Sequence, residues 1–155
     1  MNNIEVAIAG VKIASKILNI PEPTVYFISQ HQLPNPEISG IFRFEEYEII
    51  FNEEWVLKSE WIEIVINCFH ETRHAYQAYS VKNKINESIE VLSKWEEEIN
   101  NYIIPTDANN EKSDVDYLKQ DIEVDAIRFT YHKIKELFQV EIVIPNILKH
   151  LVFNE

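Results

Sequence analysis

The chain has 155 residues, 46% of them hydrophobic, which is the size and composition of one ordinary globular domain. Its 26 Asp and Glu against 14 Lys and Arg give a formal charge of −12, so the basic footprint of a DNA, RNA or anionic-lipid binder is missing. Two glycines, Gly10 and Gly40, cannot write a dinucleotide-binding Gly-x-Gly-x-x-Gly or a P-loop, and the lone Cys68 rules out an internal disulfide and a thiolate zinc cluster.

No apolar run approaches the ~18 residues of a membrane span, and the start MNNIEVAIAG lacks the basic region of a signal peptide. The expectation is a cytoplasmic protein, folded as a single domain over residues 1–155. Ile4, Ala7, Ile8, Val11, Ala14, Ile17 and Leu18 recur at spacings of three and four, which predicts an amphipathic helix that Pro21 and Pro23 end. Between Thr24 and Phe51 the runs TVYFIS, GIFRF and YEIIF are β-branched and aromatic, and predict three strands in a small, mainly antiparallel sheet.

Helical signals resume after Asn52, with Ser59 as the expected N-cap of a long helix from Glu60 to about Val81 and Glu63 near its capping-box position. Further helices are expected over Glu87 to Asn100, from Ser113 or Asp114 to about Phe138, and after Pro145. The polar stretch TDANNEKSD, residues 106 to 114, reads as a surface loop, and WEEEIN as a solvated helix face.

The long helix contains CFHETRHAYQ, in which His70, Glu71 and His74 write His-Glu-x-x-His. That spacing places both imidazoles one turn apart on one helix face, where two nitrogens can bind one zinc ion while the intervening Glu reaches a water molecule beside it. A chain of this composition would show the pattern by chance about 0.02 times, so coincidence is disfavoured. Trp61, Val65, Cys68, Phe69, Tyr76 and Tyr79 form a separate apolar stripe, so the histidines do not simply continue the core. Cys68, on that stripe, reads as a buried thiol. Arg73, Tyr76, Gln77, Tyr131 and His132 lie near the motif helices without a spacing signal, and each is more often structural. A catalytic zinc takes a third protein ligand and keeps one position open, so another donor is needed downstream.

The downstream helix supplies QDIEVDAIRFTYH, and there the chain resembles the gluzincin metallopeptidases, small His-Glu-x-x-His zinc enzymes found in bacterial, phage and mobile-element genomes. Their second helix reads roughly Glu-x-Glu-Ala-Asn/Asp-x-Phe-Ala, which Glu123, Asp125, Ala126, Phe129 and Thr130 match here. The resemblance makes Glu123 the third zinc ligand. It departs at Ile127, where the pattern carries an Asn or Asp that often partners a zinc-binding His. A competing register takes Asp121 as ligand with Asp125 behind it, but leaves Ala126 and Phe129 unmatched.

The order of elements resembles a minimal zincin-like α+β domain: N-terminal helix, small sheet, His-Glu-x-x-His helix, Glu-bearing helix. It implies a hydrolase in which zinc is held by His70, His74 and Glu123, Glu71 is the general base, and the substrate is a peptide or protein. It also implies that YEIIFNEEW includes an edge strand to which an extended peptide could add, against the equally weighted reading of an internal strand. The alternative function is a non-catalytic zincin-like domain that binds a protein partner and uses its metal structurally. Substrate sequence and oligomeric state are not legible.

Overall fold

Asn2 opens the first helix, α1 (Asn3–Leu18): its side chain accepts the Glu5 N–H while the Glu5 carboxylate accepts the Asn2 N–H, a reciprocal capping box. The helix stops at Asn19, which takes the left-handed conformation and donates its N–H back to Lys16 and Ser15, so the stop precedes the prolines expected to make it. In the computed structural model, which describes residues 1–104 and 111–153, the chain divides into two units, Met1–Tyr79 and Ser80–Glu155.

In the first unit α1 buries its small residues, Ala7, Gly10, Val11 and Ala14, while Ile8, Ile13 and Ile17 stay exposed. The apolar face read from spacing is therefore rotated toward small side chains. The cause is a close helix approach: a Cβ on Gly10 would meet Cys68 Sγ at 2.8 Å. Asn3 Nδ2 ties the helix start to the carbonyls of Val56, Leu57 and Ser59.

The three strands form where expected, as β1 (Thr24–Ile28), β2 (Gly40–Arg43) and β3 (Glu48–Asn52), but their order is β1-β3-β2. β3 pairs parallel with β1, Val25 opposite Ile49, and antiparallel with β2, Phe42 opposite Ile49. The sheet is thus mixed rather than mainly antiparallel. β3 carries the buried residues Ile49, Phe51 and Asn52, whereas β1 has none, and the most buried strand takes the centre. That placement also removes the expected edge at YEIIF, because both sides of β3 are already hydrogen-bonded.

Asn52 joins sheet to helix: its side chain caps α2 (Glu53–Lys58) by accepting the Trp55 N–H at 3.1 Å and donates to the Pro36 and Ile38 carbonyls. Ser59 closes α2 as its C-cap and gives its hydroxyl to Trp55, so it does not cap the long helix. Glu60 precedes that helix, α3 (Trp61–Asn83), and donates its N–H to Glu63. The expected role of Glu63 stands, with the cap shifted by one residue.

In the second unit Ser88 caps α4 (Ile89–Asn100) and Leu92 and Trp95 are its buried residues. Glu96 and Glu97 are exposed as read, but Glu98 turns inward and accepts the N–H groups of Asp121 and Ile122 at 2.8 and 3.0 Å. It caps the next long helix from a neighbouring one, and burial holds its carboxyl above the usual range despite those bonds. The single helix expected from Ser113 to Phe138 is two, α5 (Glu111–Leu118) and α6 (Asp121–Phe138). Of the expected loop, residues 106–110 lie outside the described residues, and residues 111–114 are not loop but the start of α5.

The break at Gln120 has no glycine or proline. Its side chain leaves the helix to bond the Ile103 N–H and C=O and the Tyr117 C=O. After Pro145 a 3-10 turn, Asn146–Leu148, leads into α7 (Lys149–Phe153), whose Val152 packs with Val124, Ile144 and Leu148. The architecture is α+β. No helix among the described residues is long and apolar enough to cross a membrane.

Candidate metal centre

α3 is buried on polar residues as well as on Ile64, Val65, Cys68 and Phe69: Glu71, Thr72, His74 and Gln77 are all buried. Polar side chains inside a protein require partners, and one partner here decides the chemistry of a ring. His74 Nδ1 lies 2.8 Å from Gln77 Oε1, one helical turn on. An amide oxygen accepts, so Nδ1 carries the hydrogen and Nε2 keeps its lone pair, the tautomer a metal ligand needs. His74 Nε2 is itself a buried atom outside any hydrogen bond.

His70, half-buried, sets its ring edge-on to His74 with centroids 5.0 Å apart. One donor atom each from His70, Glu71 and His74 lie within 4.8 Å of one another. The helix thus brings the three motif residues together in a group that could hold a metal ion, with two imidazole nitrogens as its borderline-soft donors. Phe44, in the β2–β3 turn, closes on the site with its ring 5.7 Å from that of His74. The turn is held by Tyr47, which takes the left-handed conformation at φ 55° and donates its hydroxyl to the Pro21 carbonyl.

Cys68 is buried as expected and gives its thiol to the Ala7 carbonyl at 3.3 Å. Burial, with the nearby Glu71 charge adding to it, pushes that thiol up, so it stays protonated and inert as a nucleophile. Comparison of the chain with known protein families, with curated proteins and with solved structures finds no match. The motif and its geometry therefore carry the functional reading.

Glu123 lies in the second unit, in the first turn of α6, and is fully buried. Tyr102 donates its hydroxyl to Glu123 Oε2 at 2.9 Å. Asp121, the residue of the competing register, is exposed. Ile127, the position that departs from the family pattern, is partly buried against the cluster of Val124, Ile144, Leu148 and Val152. An apolar residue there completes the packing of α6 on the C-terminal segment, where an Asn or Asp would put a polar group into that cluster.

Among the weaker candidates, Arg73 stacks over the Tyr76 ring at 4.1 Å, and Tyr131 packs against His132 and Phe153. Gln77 bonds the motif residue His74. Its signal was present in the sequence, three residues after His74 and so on the same helix face. The second unit also holds a cavity of about 660 Å³ between α4, α6 and α7. Its walls balance Lys94, Lys119 and Arg128 against Glu87, Asp121 and Asp125, which selects no net ligand charge.

Proposed function

We propose that this chain is a zinc-dependent peptidase. The observation that carries the proposal is the convergence of His70, Glu71 and His74 donor atoms within 4.8 Å on one helix turn. His70 and His74 would hold the metal, Gln77 keeping the His74 ring in its binding tautomer. The third ligand is assigned to Glu123 on the sequence register, and its complete burial beside a phenol favours it over the exposed Asp121.

Zinc held there supplies a Lewis acid that polarises a peptide carbonyl and lowers the pKa of water toward about 7. Glu71 has the base's part: its buried carboxylate takes the proton of the attacking water and passes it to the nitrogen of the departing amine. The half-buried Phe44 ring limits access of bulk water to His74, which strengthens electrostatic effects around the ring.

The competing reading keeps the metal but makes it structural, and the closeness of Glu71 to both imidazoles is the observation in its favour, since Glu71 could then close the coordination. Incubation of the zinc-loaded chain with an unfolded protein such as casein separates the two. New amino termini are expected, lost on chelation and regained with zinc. An intact substrate after prolonged incubation with fully loaded protein would go against catalysis.

A further inference from the structure

Tyr102 stands in the segment after α4, and two features of the second unit fix it there. Gln120 grips the next residue from both sides, accepting the Ile103 N–H at 3.0 Å and donating to the Ile103 carbonyl at 3.2 Å. The Tyr102 ring also packs edge-on against Tyr117, centroids 6.3 Å apart. A side chain whose neighbour's backbone and whose own ring are both held loses little freedom on bonding, so its hydroxyl is pre-organised. That hydroxyl meets Glu123 Oε2 at 2.9 Å, and Glu123 is fully buried.

We propose that Tyr102 is a positioning residue for the zinc ligand Glu123. The inference rests on the assignment of Glu123 as third ligand. The phenolic O–H donates to the carboxylate and holds it in one orientation. Gln120 acts one step further back by locking the segment that carries Tyr102. The break between α5 and α6 thereby has a function: leaving the helix frees the Gln120 side chain to reach Ile103.

The test is zinc affinity, measured on the full chain by competition with a chromophoric chelator, alongside melting of the metal-free protein. Tyr102→Phe keeps the ring and removes only the donor, and should weaken zinc binding about 10- to 100-fold, the usual cost of losing a group that orients a ligand. Glu123→Gln should weaken it at least as much. The double variant should bind no worse than Glu123→Gln alone, because Tyr102 acts only through that carboxylate.

A Tyr102→Phe protein with parental affinity, or losses that add in the double variant, would overturn the positioning role. Parental affinity in Glu123→Gln would instead remove the ligand assignment beneath it. A lower melting temperature with unchanged affinity marks a merely structural hydrogen bond and counts against the proposal. Should Tyr102→Phe fail to fold, fluorotyrosine placed at position 102 keeps ring and bond while making the phenol more acidic. Its stronger donation holds the carboxylate more firmly, so affinity should rise, and a fall or no change would be contrary.

Discussion

Glu71→Gln is expected to keep zinc and fold while losing about 10²–10⁴ of the turnover. The two side chains are nearly isosteric, and position 71 is buried, so the exchange removes a negative charge from the interior without opening a cavity. What is lost is the ability to accept a proton, which an amide oxygen at neutral pH does not do. Turnover and zinc content measured on the same preparation decide it. A rate within a few-fold of the parent would remove Glu71 from the base's role. Loss of zinc along with the rate would make it a ligand.

The second large effect falls on the metal itself. Apparent zinc affinities of ~10–16 kcal/mol over four ligands imply ~3 kcal/mol for each, so His70→Ala or His74→Ala should each weaken binding about 10²-fold or more. The two should differ in stability. His74 is buried and donates to Gln77, so His74→Ala opens a cavity and removes a hydrogen bond from a buried amide, costing the metal-free protein ~1–3 kcal/mol from the polar term alone. His70 is half-buried, and its loss should cost the metal-free fold less. Chelator competition and melting of the two metal-free variants check both statements. Equal zinc retention in the double variant and the parent would exclude the site.

Helix boundaries set by neighbours in sequence were legible to within a residue or two. The repeat from Ile4 to Leu18 places α1 at Asn3–Leu18, and Ser88 begins α4 close to the expected Glu87. What spacing could not give was which apolar face is buried. That depends on Gly10 letting α1 approach Cys68, a contact between residues far apart in the chain. Strand positions were likewise local and strand order was not. The three runs alone do not say that β3 inserts between β1 and β2, because order is fixed by which strand buries most.

The metal site divides along the same line. His70, Glu71 and His74 were legible because one helical period fixes their relation. Gln77 obeys the same period but carries no motif, so sequence alone reads it as structural. Tyr102 stands 21 residues from Glu123, and its approach depends on Gln120 reversing out of a helix that sequence reads as continuous. No local signal announces such a bond. Ile127 was visible as a departure from the family pattern, and its packing against Val124, Leu148 and Val152 explains it.

Crystals of the zinc-loaded chain, measured on both sides of the zinc absorption edge, test the metal centre most directly. A single anomalous peak is expected ~2.0–2.1 Å from one nitrogen each of His70 and His74, with Glu123 as the third protein ligand, a water-filled fourth position and Glu71 outside bonding distance. A peak elsewhere, or one whose fourth position is filled by Glu71, would contradict a catalytic zinc at this helix.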